Sequence, residues 1–245
     1  MRTILNKLHL SNRKNMITQS DRIGLDRLGI HNLDNICYNF SSKELVADIV
    51  DNGEGIIGMR GAAMVDTGIY TGRSPKDKYI VDEPSSNEKV WWGNVNQKIS
   101  EDIFDILFYQ IIDFYNKEKE SKTYVFDGLA GADPKYSLNV RIIAKKAWQA
   151  HFVRNMFINQ DNLNPEDFDP GFTIINASDL KNTEYEKFNM NSETFIIFHL
   201  AKKLAIIGGT EYGGEMKKGI FSVLHYLLPQ RGVLSMHCSA NVQDD

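Results

Sequence analysis

The chain has 245 residues, 42% hydrophobic and 24% charged, with a formal net charge of -4. That length fits one large domain or two small ones with a sizeable core, while no basic stripe points to nucleic acid and no apolar run is long enough for a membrane span. The two cysteines, Cys37 and Cys238, show neither zinc nor thioredoxin spacing and fit a reducing compartment.

Residues 1–20 carry Arg2, Lys7, Arg13 and Lys14 and no acidic residue. They read as a basic, disordered tail, or as an upstream start with Met16 as the true first residue. A mitochondrial-type transit peptide is the alternative. The expected location is otherwise cytoplasmic.

Residues 43–50 predict a short amphipathic helix with Leu45, Ile49 and Val50 on one face, ended by Gly53 and Gly55. Residues 62–66 read as a strand that 68–70 continue. Gly72-Arg73-Ser74-Pro75 turns sharply, because proline fixes its own backbone and restricts Ser74 before it. Residues 79–81 resume a strand, so Arg73 sits on a stiff loop between strands. A guanidinium held there can grip a carboxylate with two parallel hydrogen bonds, although an ordinary turn arginine has the same local pattern.

Trp91 and Trp92 read as core or surface packing residues. Residues 103–114 predict a core helix with the stripe Ile103, Leu107, Ile111 and Phe114. After a charged connector come strands at 124–129 and 140–144. A helix follows, with Trp148, Phe152 and Met156 at helical spacing through Ile158 and with His151 and Arg154 on its outer face. A polar loop at 159–170, a strand at 172–176 and a polar surface turn at 182–192 come next. Residues 194–199 and 203–207 read as a hairpin closed around Ala201-Lys202. Strands interspersed with helices indicate an α/β fold with a mixed β-sheet flanked by helices. No internal repeat or linker divides the chain.

From Ile206 the chain reads I-I-G-G-T-E-Y-G-G-E-M-K-K-G-I-F-S-V-L-H-Y-L-L-P. Two glycine pairs lead into a helix whose apolar face is Met216, Ile220, Val223, Leu224 and Leu227, stopped by Pro229 and Gly232. Residues 233–242 read as a short strand. Lys217 and Lys218 fall in the first helical turn, where a cation is disfavoured by roughly 0.3–1 kcal/mol. Glycines, backbone amides and two lysines together suit a phosphate or carboxylate. A solvated helix start is the plain alternative. A lysine held there beside other cations should have a lowered pKa, and a neutral amine can ligate a metal. His237 is an ordinary ligand type, though a lone histidine is more often structural.

Several long blocks resemble the ATP-dependent phosphoenolpyruvate carboxykinase family. They are T-G-I-Y-T-G-R-S-P-K-D-K-Y at 67–79, G-A-D-P at 131–134, V-R-I-I-A-K-K-A-W with F-V-R-N-M-F-I at 140–158, Y-G-G-E-M-K-K-G-I-F, Y-L-L-P and M-H-C-S-A-N. They occur in the family's order between about residues 22 and 242. The resemblance implies that 21–242 form the amino-terminal, substrate-binding domain. It implies that oxaloacetate and ATP are converted to phosphoenolpyruvate, ADP and carbon dioxide in gluconeogenesis. Arg73 would hold the substrate carboxylate and carbon dioxide, Tyr212 would pack on the substrate near the Gly214 amide, and Lys217 would supply positive charge. Lys218 and His237 would ligate manganese, with Lys218 also touching substrate and the terminal phosphate; magnesium would accompany the nucleotide.

The phosphate-cradling run G-x-x-x-x-G-K-[ST] does not occur in these 245 residues. The nucleotide-binding domain therefore has no counterpart here, and the chain alone is not expected to turn over. The alternative to an enzyme part is an inactive fragment or a module that binds small dicarboxylates. No pattern bears on oligomeric state.

Overall fold

The computed structural model describes residues 23–31, 33–160 and 163–243. The basic segment 1–20 lies outside the described residues. The elements run β1 (Ile36–Tyr38), α1 (Ser42–Asp51), β2 (Gly55–Ile57), β3 (Ala63–Val65), β4 (Lys78–Val81), β5 (Gln97–Ile99), α2 (Glu101–Lys117), β6 (Thr123–Ala130) and β7 (Leu138–Ala144). Then come α3 (Ala147–Met156), β8 (Ile158–Asn159), β9 (Phe172–Ala177), β10 (Phe195–His199), β11 (Leu204–Gly208) and α4 (Gly214–Gln230).

The main sheet has the order β1-β6-β7-β9-β11-β10-β4-β5, with β8 paired to β6, while β2 and β3 form a separate ribbon. The ladders β6–β7, β6–β8 and β10–β11 are antiparallel and the others in this sheet are parallel. This is the expected mixed α/β sheet.

Both faces of the central strands are buried, and the two-residue period divides them. Ile143, Ile175, Ile206, Phe195, Ile197 and Tyr79 face one core with Phe104, Leu107, Ile111 and Tyr115 of α2. Ile142, Ile174, Ala205, Ile207, Ile196, Phe198 and Ile80 face the other, with Met216, Ile220 and Val223 of α4. A third cluster packs α1 and α3 through Leu45, Ile49, Ala147 and Trp148.

Local signals start the helices where they stand. Ser41 and Glu44 form a reciprocal capping box at α1, and Ser100 caps α2 through the Ile103 amide. Glu54 accepts hydrogen bonds from the Ala147 and Trp148 amides (3.0 and 2.9 Å), so a residue far back in the chain caps α3.

Several sequence expectations are corrected. Val50 is exposed rather than part of the buried face of α1. Gly55 opens β2 instead of ending the helix, and the strand at Ala63–Val65 does not continue to residue 70, because Gly68 takes a left-handed φ of 58°. The 182–192 segment is more than a surface turn. Met190 is buried with Tyr185 and Phe188 against it, and the Asn191 amide donates to the Tyr79 hydroxyl (2.8 Å). Residues 233–242 form no strand: a strand needs a ladder partner, and no described segment pairs with them.

At the edge of the core, burial pulls the Lys145 pKa down to about 8 against the opposing pull of Glu118. Its Nζ donates to the Glu118 carbonyl (2.7 Å) and to Ser121 Oγ (3.0 Å). An unfolded lysine titrates near 10.4. Between those values the unfolded chain binds more protons, so this group makes stability rise with pH from about 8 to 10.4 and contributes a constant term below. Urea melts of Lys145→Met should show a smaller rise in midpoint between pH 8 and 10 than the unaltered chain. Identical slopes would contradict the assignment.

Candidate active site

The glycine-rich turn leaves β11 at Gly208, next to the α4 side of the sheet. Gly209 has φ 67°, and a Cβ there would lie 2.8 Å from the Glu193 carbonyl oxygen, so both backbone conformation and space call for glycine. The Thr194 hydroxyl donates to the Gly209 carbonyl (2.7 Å), and the Tyr212 amide donates to Thr210 Oγ1 (3.1 Å). Lys146 braces the turn through Glu211 (2.8 Å) and Asp179 (3.1 Å). The Tyr212 ring lies directly against Gly214, and any Cβ on Gly214 would collide with it.

Helix α4 begins at Gly214, and no side chain caps its first turn. Lys217 lies in that turn and Lys218 opens the next. Met216, Ile220 and Val223 are buried as their spacing predicts, with Leu224 and Leu227 packed beside them. Pro229 sits inside the last turn instead of stopping the helix, which runs on to Gln230.

Beyond Gly232 the chain doubles back along α4. Ser235 Oγ lies 3.1 Å from His225 Nδ1, and the His237 ring meets Phe221 edge-on at 5.2 Å. His237 Nε2 lies 2.7 Å from Lys218 Nζ. His237 thus reaches Lys218 from an irregular segment held by side chains, not from a strand.

Arg73, Lys218 and His237 line one cavity of about 540 Å³. Lys217, Tyr212 and Gly214 stand at the amino end of α4 outside its lining. Desolvation, then the charges of Lys217 and Arg73, lowers the pKa of Lys218. The sign is that expected from the sequence.

Arg73 is exposed at the tip of its loop, but the loop base is fixed. The Ser74 amide donates to Glu215 Oε1 (2.7 Å). The Ser74 hydroxyl donates to Asp77, which also accepts from Asn191 (2.9 Å) and Ser192 (2.9 Å). Pro75–Asp77 form a single 3-10 turn beneath.

Other cavity residues were not foreseen as site residues. Lys78 lines the wall and donates to Ser222 Oγ (3.1 Å). Burial lowers its pKa; Glu215 opposes that and Arg73 adds to it. The alternation of β4 carries the signal for it, since Lys78 shares the face of Ile80. Burial raises the pKa of the Glu215 carboxyl, opposed by the Ser74 amide, Arg73 and Lys78. Trp91 also lines the cavity while remaining largely exposed, which gives it the cleft position rather than a core one.

The donor set suits a borderline divalent ion in part. An amine and an imidazole nitrogen converge at one cavity wall. Among the described residues no group of three His, Cys, Asp or Glu side chains could complete such a site. No helix among them is long and apolar enough to cross a membrane.

A family model described as phosphoenolpyruvate carboxykinase matches residues 34–245. The chain is 52% identical over 222 residues to a protein of Leptospira biflexa named phosphoenolpyruvate carboxykinase (ATP), covering 91% of this chain and 41% of that relative. Proteins of the same name from Sulfurimonas denitrificans and Campylobacter lari are 44% and 46% identical over 219 residues, each match covering 89% of this chain and 41% of the relative. The chain therefore spans about two fifths of the length of these relatives. With most of its residues matched, including those lining the cavity, the chain belongs to the phosphoenolpyruvate carboxykinase family.

Proposed function

We propose that residues 21–242 are the substrate-binding part of an ATP-dependent phosphoenolpyruvate carboxykinase, working on oxaloacetate, ATP and a divalent metal. The observation that carries this reading is the convergence of Arg73, Lys218 and His237 on one cavity.

The chemistry asks for fixed positive charge. Loss of carbon dioxide from oxaloacetate leaves an enolate, and cations placed beforehand lower the energy of that charge. Arg73 binds the carboxylate with its planar fork and orients the carbon–carbon bond that breaks. Lys217 holds positive charge beside the developing enolate oxygen. Tyr212 covers the substrate at the glycine-rich turn, and the Gly214 amide adds a donor. Lys218, as the neutral amine, and His237 would hold the divalent metal, manganese in this reading. A metal held there would add positive charge for phosphoryl transfer. The reading as a non-catalytic dicarboxylate-binding module shares the Arg73 contact.

Calorimetry with manganese and, separately, with oxalate tests the site. Manganese is expected to bind weakly, because two nitrogen donors leave most of its coordination sphere to water. Lys218→Ala should weaken manganese by about tenfold or more, and Arg73→Ala should do the same to oxalate. Unchanged manganese affinity in Lys218→Ala would remove this lysine from the metal site. Unchanged oxalate affinity in Arg73→Ala would remove the carboxylate role.

A further inference from the structure

We propose that Glu215 is a positioning residue. Its buried carboxylate locks the Arg73 loop to the first turn of α4 and thereby sets the guanidinium against Lys218 and His237. The inference rests on the carboxylate-binding role given to Arg73 above and adds the part that holds it in place.

An acidic residue in the first turn of a helix has a plain explanation, since the helix dipole favours it there. That explanation leaves the carboxylate in water. Glu215 is instead only 5% exposed. A carboxylate taken from water needs partners to offset its lost hydration, and the partners here belong to the site. Oε1 accepts the amide of Ser74, 141 positions away in the chain. Arg73 and Lys78 supply the nearby positive charge.

The geometry makes Glu215 a junction. It is adjacent to Gly214, against which Tyr212 packs, and lies one turn before Lys218. Through Ser74 it reaches the residue next to Arg73. The loop has a second, independent anchor at Asp77, which holds the Ser74 hydroxyl, Asn191 and Ser192. Removing the Glu215 carboxylate should therefore free the upper end of the loop without unfolding it. The amide of glutamine can still accept from the Ser74 N–H, so Glu215→Gln should keep the clamp.

The test compares Glu215→Ala and Glu215→Gln with the unaltered chain by two measurements. The first is hydrogen exchange at the Ser74 amide; the second is calorimetric titration with oxalate. In Glu215→Ala the Ser74 amide should exchange about a hundredfold faster and oxalate affinity should fall about tenfold. Glu215→Gln should stay within about threefold of the unaltered chain in both. If Glu215→Ala does not fold, Glu215→Asp, which keeps the charge but shortens the reach, carries the same expectation. Unchanged Ser74 exchange would overturn the clamp. Faster exchange with unchanged oxalate affinity would overturn its positioning role. Equal losses in the Gln and Ala variants would also overturn it, because the hydrogen bond survives in one. If the unaltered chain does not bind oxalate, the carboxylate role of Arg73 fails, and the purpose of the clamp fails with it.

Discussion

Arg141→Ala should lower the stability of this chain by about 3–5 kcal/mol, the range for removing one partner of a buried ion pair. Arg141 and Asp127 face each other across the β6–β7 ladder, with side chains 3% and 0% exposed. The guanidinium donates twice, to Asp127 Oδ1 (2.8 Å) and Oδ2 (2.6 Å), and its third nitrogen reaches the Ile23 carbonyl. Tyr38 donates its hydroxyl to the same carboxylate (2.9 Å). Burial already raises the Asp127 pKa, and Arg141 and Tyr38 are what oppose it. Without Arg141 the carboxylate must take up a proton or stay charged and poorly compensated. A large drop in urea midpoint is the expected result. The triple change Tyr38→Phe, Asp127→Leu and Arg141→Met removes the charges and the orphaned hydroxyl together and should recover roughly half of the loss or more. A triple variant no more stable than Arg141→Ala would show that the network, not the unpaired charge, carries the energy.

Gly209→Ala should cost about 2–4 kcal/mol, combining a left-handed backbone with overpacking. The alanine Cβ meets the Glu193 carbonyl, which is backbone and cannot swing aside. The damage should spread to the site, because the Gly209 carbonyl receives the Thr194 hydroxyl and Thr210 receives the Tyr212 amide. Gly209→Asn separates the two terms. Asparagine tolerates the left-handed region but has the same Cβ, so it should be milder than alanine and still destabilising. Denaturant melts of both variants measure this; an asparagine variant as stable as glycine would mean that the contact with Glu193 yields easily.

Much of the sheet can be read from local pattern because its central strands, buried on both faces, are short continuous apolar runs. The β10–β11 hairpin and the buried face of α4 follow directly from residue spacing. The failures have identifiable causes. β2 and β5 contain three residues each, too few for a period to be visible. Residues 233–242 have an apolar sequence without a ladder partner, and pairing is a tertiary fact that no spacing encodes. The site divides in the same way. Arg73, Lys218 and His237 stand in long motifs, whereas the bond from Glu215 to Ser74 joins residues whose relation appears only after folding. Lys78 lay between these cases, legible from the face it shares with Ile80.

The place of β4 in the sheet also bears on the order in which the molecule is assembled. Its ladder neighbour β10 is far downstream, so closing that pairing demands a long loop and comes at a high entropic cost before any contact repays it. During synthesis, the Arg73 loop leaves the ribosome well before the strand and the helix that orient it. Arg73 and Lys218 can meet only once β10, β11 and α4 have emerged and β4 has docked. Early folding intermediates should therefore possess the β6–β7 and β10–β11 hairpins and yet lack the cavity. Competence to bind ligand would then arise later than either hairpin.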